Sequence, residues 1–182
     1  MFPIRMQKRA CTDQLKIEHF LGQAHTGFLG LSSGDVPYVI PLNYYWCNGA
    51  VYFHGAAEGR KVTMMEENAK GCFTISEDYG TIAATVPAHV DTAYMSVVIQ
   101  GVTVRVTDLT EATEAMQGML NKYVPGYYDK PLEKSHLEKY VSSMGSKTAV
   151  FKLVSESVTA KEREVDAPQM FYPGRTVHSD RG

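Results

Sequence analysis

The residues best suited to chemistry lie together in His54-Gly55-Ala56-Ala57-Glu58-Gly59-Arg60-Lys61. An imidazole ends an apolar run (Val51, Tyr52, Phe53), small residues follow, and two adjacent cations come just after a glycine. Such a stretch suits a phosphate group. Glycines let the backbone approach closely, a helix start offers free N–H groups, and Arg and Lys supply charge. The same residues also read as a plain hairpin-to-helix loop with Arg60 and Lys61 solvated. His19, His25, His89, His136 and His178 share no metal-ligand spacing, so no metal site is assigned.

These residues need a scaffold. Pro37 to Ile75 reads strand, strand, charged turn, helix, strand. Thr12 or Asp13 can cap a first helix running to about His25, with Ile17, Phe20 and Leu21 on its apolar face. Strands are expected at 27–31, 38–45 and 51–54, forming a meander closed by the Asn48-Gly49 hairpin signal. Pro41 suits an edge strand or a bulge. A helix follows over 59–68, then a strand over 71–76. Residues 78–92 read as a loop, and 94–107 as the longest strand, with Gly101 marking a bend or bulge. Thr110 caps a helix to Tyr123, another is expected over 132–144, a strand over 149–164 closes the domain, and 166–182 reads as an irregular tail. Six mainly antiparallel strands with helices between them predict a small barrel with flanking helices, not a doubly wound sheet.

The chain has 182 residues, enough for one well-buried domain spanning 1–182 with its core over about 12–164. Its net charge of −2 gives no general attraction to nucleic acid or to anionic membrane, so any basic site must be local. Cys11, Cys47 and Cys72 show no zinc or redox spacing and suit a reduced, cytoplasmic protein. No signal-peptide core and no transmembrane-length apolar window is present.

Four segments together carry a family pattern: Arg5–Arg9; Gly30-Leu31 with Pro37–Tyr44; Val51–Ala56 with Gly59-Arg60-Lys61; and Thr92–Ile99 with Gly101. In content and spacing they resemble the FMN-binding split-barrel family related to pyridoxamine 5′-phosphate oxidase, and most of all its nitroimidazole-resistance branch. That resemblance implies a six-stranded antiparallel split β-barrel and a homodimer with FMN between subunits. It places Ile40, Pro41, Leu42 and Asn43 along the isoalloxazine ring and His54 and Gly55 at a strand end that meets it. Gly59, Arg60 and Lys61 fall on the family's phosphate-binding serine-arginine-lysine, with glycine replacing the serine. Ser96 falls on a polar position of the long strand that contacts the flavin.

The oxidases end in a segment bearing tryptophan and arginine that holds pyridoxal phosphate. Here the corresponding stretch is Lys161-Glu162-Arg163-Glu164, and the only tryptophan is Trp46. Vitamin B6 oxidation is therefore not the expected activity. The expected activity is FMN-dependent reduction of a small electron-poor substrate such as a nitroimidazole. NAD(P)H would serve as donor without a GxGxxG fingerprint. His54 is the candidate catalytic proton donor, or else a positioning or structural histidine. The alternative is a flavin- or heme-binding store or sensor without turnover.

Overall fold

The computed structural model describes residues 4–141, 145, 147–164 and 166–181. Eight strands form one antiparallel sheet: β1 (Ala10–Cys11), β2 (Thr26–Ser33), β3 (Val36–Asn43), β4 (Tyr45–Cys47), β5 (Ala50–Ala56), β6 (Lys70–Ile82), β7 (Asp91–Arg105) and β8 (Thr148–Arg163). The helices are α1 (Gln14–Gln23), α2 (Arg60–Glu67), α3 (Leu109–Tyr123) and α4 (Lys134–Glu138). Strand order is β3-β2-β6-β7-β8-β5-β4, with β1 added beside β8. The six long strands match the six expected, and the short β1 and β4 are additional. The ladder does not close on itself, so the expected barrel is an open, curled sheet.

The expected meander does not form. β2 pairs with β3, and β4 pairs with β5, but β5 then pairs with β8 instead of β3. Tyr44 is where the chain departs. Its ring is fully buried, its hydroxyl donates to Leu21 O at 2.8 Å, and its N–H is taken by Tyr123 Oη at 2.9 Å. Lys122 Nζ lies 3.7 Å from the centre of the Tyr44 ring, and burial lowers its pKa to about 8. These contacts pin the β3–β4 junction to α1 and α3, which carries β4 to the far end of the sheet.

β3 is an edge strand, as Pro41 requires. Asn48 and Gly49 both take positive φ (50° and 72°), which suits a tight hairpin. A bulge falls between Gln100 and Gly101, where a Cβ on Gly101 would stand 1.9 Å from Val154 O. Asp13 caps α1 through Lys16 N at 3.2 Å. Asp108, not Thr110, caps α3, accepting from Glu111 N at 2.7 Å. Of the stretch 78–92 expected as loop, 83–90 is loop with a short 3₁₀ turn at Pro87–His89, while 78–82 and 91–92 are strand, because β6 and β7 pair out to Ile82 and Asp91. The helix expected over 132–144 is reduced to α4, and Ser142, Ser143 and Met144 lie outside the described residues. The tail takes a short 3₁₀ turn at Ala167–Gln169 and bridges Met170 to Ile82.

One sheet face packs on α1 and α2, around Leu29, Phe53, Phe73, Ile75, Val97, Ile99 and Phe151. Around β5 and β8 the opposite face packs on α3 through Tyr52, Val150, Met116 and Met119. Among the described residues no helix is long and apolar enough to cross a membrane.

Candidate functional site

The Gly59-Arg60-Lys61 turn lies at the start of α2. Gly59 adopts φ 103° and ψ −179°, a region open in practice only to glycine. That conformation accounts for glycine where the family pattern has serine. Val62 and Thr63 both direct their N–H groups to Gly59 O, at 2.9 and 3.1 Å. The first helical N–H groups, those of Arg60 and Lys61, are left as the donors of this terminus.

The two cations diverge. Arg60 is exposed, and its guanidinium carbon stands 4.6 Å from the centre of the Tyr38 ring. Tyr38 is on the core-facing side of β3, so this contact joins the helix start to that strand. Lys61 turns inward. Its Nζ lies 5.5 and 5.2 Å from the ring centres of Phe53 and Phe151, which stack on each other at 5.7 Å. A Cβ on Gly55 would stand 2.3 Å from that Nζ. The glycine therefore makes the space into which the ammonium points. Neither cation has a carboxylate partner among the described residues, and Glu58 pairs with neither. Burial lowers the Lys61 pKa from its usual value, because a half-buried ammonium without a counter-ion is poorly solvated. A cation held this way awaits an anion.

His54 sits on the opposite side of β5. Strand alternation sends Phe53 and Gly55 toward Lys61, and sends His54 with Tyr52 toward the α3 and α4 side. Its ring centroid is 6.3 Å from that of Tyr140. Nδ1 is sealed from solvent without a hydrogen-bond partner among the described residues. Burial first, and the Lys61 charge second, lower the His54 pKa from its usual value.

Alternation also divides the four β3 candidates. Ile40 and Leu42 pack toward the core, while Pro41 and Asn43 are exposed on the outer face. Ser96 on β7 shares that outer face, three strand spacings from β3, or about 14 Å. The site residues thus form two groups. Gly55, Gly59, Arg60 and Lys61 meet at one corner, next to Tyr38 and the inward side of β3. Pro41, Asn43 and Ser96 spread across the outer face. The sequence reading passed over Phe151 as a site-builder; it is 95 residues from Gly55-Ala56 in sequence, and only the pairing of β5 with β8 brings it to Lys61.

A family model described as pyridoxamine 5′-phosphate oxidase matches residues 13–162, most of the chain. The chain belongs to the pyridoxamine 5′-phosphate oxidase family. Solved structures of similar fold accompany this family membership. One is a protein of Bacteroides thetaiotaomicron described as a 5-nitroimidazole antibiotic resistance protein. It is 23% identical with a TM-score of 0.65, over 84% of this chain and 85% of that one. The flavocytochrome Anf3 of Azotobacter vinelandii is 22% identical with a TM-score of 0.74, over 95% and 79%. An FAD-binding protein of Mesorhizobium loti is 18% identical with a TM-score of 0.57, over 85% and 95%. At these identities the likeness is one of fold. No curated protein sequence matches the chain.

Proposed function

We propose that this protein is an FMN-dependent oxidoreductase that works as a homodimer and reduces small electron-poor substrates, nitroimidazoles among them, with NAD(P)H as electron donor. The observation that carries the flavin assignment is Lys61, a half-buried ammonium beside Gly55 with no counter-ion, next to Arg60 at a glycine-started helix. Those residues fit a phosphate group: two cations flank the free N–H groups of one helix start, and the glycines remove the side chains that would crowd it. Similar folds bearing flavin-binding names support the same reading.

Bound FMN would supply hydride chemistry. Arg60 and Lys61 hold the phosphate end, and Gly59 and Gly55 keep the approach open. Ile40 and Leu42 present an apolar wall next to Tyr38. The outer sheet face leaves Phe28 and Val39 substantially exposed, which suits a second copy. Ser96, on that face, would then reach the flavin of the partner subunit, which explains why it stands so far from Arg60. His54 stands next to Gly55 on the far side of β5, toward α3 and α4. It acts as a positioning residue, or as the proton donor if its ring turns toward the pocket.

The test is purification followed by absorbance and light scattering. A yellow dimer with about one FMN per subunit is expected. A colourless monomer that takes up no FMN overturns the proposal. A flavin- or heme-binding store without turnover would show colour but no reduction by NAD(P)H.

A further inference from the structure

Between α3, α4 and the loop that joins them lies a cavity of about 910 Å³ that opens to solvent. Its walls are mostly apolar. Met116 and Leu120 come from α3, Leu132 and Leu137 from the loop and α4, and Tyr128 and Tyr140 add two rings. Polar contacts hold these walls in place. Gln117 Oε1 accepts from Leu132 N at 2.6 Å, and Lys134 Nζ donates to Thr110 Oγ1 at 2.6 Å, so the loop end and the start of α4 are both tied to α3. Beyond α4, Tyr140 O accepts from Thr148 N at 3.0 Å and Val141 bridges Lys147, which ties the last wall to the start of β8.

Tyr127 and Tyr128 pack edge to face with ring centroids 5.0 Å apart, which steadies the Tyr128 ring. Tyr128 and Tyr140 remain 58% and 36% exposed, so both offer surface to a ligand. Charge narrows what the cavity would take. Asp129 and Glu133 stand in the lining with Lys130 and Lys139, and these four charges cancel. An ion therefore gains no net attraction from them. Ser135 and His136 offer hydrogen bonds. The volume falls within the roughly 300–1,000 Å³ of small-molecule pockets, which share this apolar lining with a few polar groups.

We propose that the α3–α4 cavity is a binding site for an uncharged, largely apolar small molecule that bears an aromatic ring. The ring packs on Tyr128 and Tyr140, and the remaining apolar surface on Met116, Leu120 and Leu137. The site is separate from the Lys61 corner, because β5 lies between them: Gly55 faces Lys61, while His54 faces Tyr140 at 6.3 Å between rings. It does not rest on the flavin reading.

Fluorescence titration with phenylnaphthylamine tests this, with anilinonaphthalene sulfonate as the charged comparison on the same ring skeleton. The neutral probe binds wild type at about one per chain and more tightly than the sulfonate. Leu137→Trp puts an indole into the space and weakens the neutral probe at least about tenfold. Tyr128→Ser removes one ring and weakens it roughly 2- to 12-fold, the range for a lost aromatic pair. Added FMN leaves the probe bound. Near-UV circular dichroism checks folding. If Leu137→Trp does not fold, Tyr128→Ser, at an exposed position, carries the comparison. Unchanged probe binding in the folded variants overturns the proposal. So does displacement of the probe by FMN, which would put it in the flavin's place, and so does a sulfonate that binds as tightly as the neutral probe. If the protein takes up no FMN, the variants still decide the cavity.

Discussion

Replacing Lys61 with methionine should act in opposite directions on the free protein and on flavin binding. Methionine keeps an unbranched apolar stem between Phe53 and Phe151 and can contact both rings through sulfur. It removes an ammonium that burial leaves poorly solvated. The flavin-free variant should therefore melt no lower than wild type. Binding should move the other way. A charge-assisted hydrogen bond contributes about 1.5–3 kcal/mol, so FMN affinity should fall roughly 10- to 150-fold at about 1.4 kcal/mol per tenfold. Riboflavin, which lacks the phosphate, should bind both proteins alike. The pH dependence is also fixed. The folded pKa of Lys61 lies below its unfolded value of 10.5, so the unfolded chain binds more protons between the two. Wild-type stability gains a contribution as pH rises through that alkaline window, and the variant lacks it. The assay is flavin fluorescence quenching with FMN and riboflavin in parallel, alongside thermal melts. If Lys61→Met keeps its preference for FMN over riboflavin, Lys61 does not hold the phosphate.

Arg60→Ala should weaken FMN by a similar 1.5–3 kcal/mol while lowering the melt by only about 1–4 °C, since Arg60 is exposed and its ring contact contributes about 0.5–1 kcal/mol; an unchanged dissociation constant by quenching would move the phosphate elsewhere. His54→Leu should flatten the acid side of the stability curve. The folded His54 pKa lies below 6.5, so wild type loses stability as pH falls from 6.5 to the folded pKa, and the variant should lose less over that range in urea titrations. His54→Ala should keep its dimer and most of its FMN but slow substrate reduction at least about tenfold, read by anaerobic stopped flow; equal rates would leave His54 as structure alone. Gly101→Ala should cost about 3 kcal/mol or more, because its Cβ would meet the Val154 carbonyl and no flexible side chain can yield; a melt within a degree of wild type would contradict the bulge geometry.

Much of this was legible because particular residues allow few conformations. Asn48-Gly49 named its turn, Pro41 its edge, Gly101 its bulge, and Gly59-Arg60-Lys61 the junction of a loop with a helix. Where the sequence reading fell short, long-range pairing overrode local signals. The stretch 78–92 has weak alternation, but β6 and β7 reach into both its ends, to Ile82 and from Asp91, because each supplies the other's backbone partners. Nothing local in β4 or β5 says that β5 joins β8; the Tyr44 junction is tied instead by its hydroxyl to Leu21 O, 23 residues away, and by its N–H to the Tyr123 hydroxyl, 79 residues away. The α3 cap was misplaced by two residues because Asp108 and Thr110 are both good capping types. The facing of His54 could have been read from parity, since Phe53 next to it is plainly a core residue.

The most direct test of the central claim is anaerobic spectroscopy of the purified, FMN-loaded protein. An FMN-dependent oxidoreductase should lose its flavin absorbance when NAD(P)H is added and regain it when a nitroimidazole follows, with the nitro compound consumed over repeated cycles. A yellow protein whose flavin neither bleaches with NAD(P)H nor, once reduced chemically, recovers with the nitro compound would contradict the assignment.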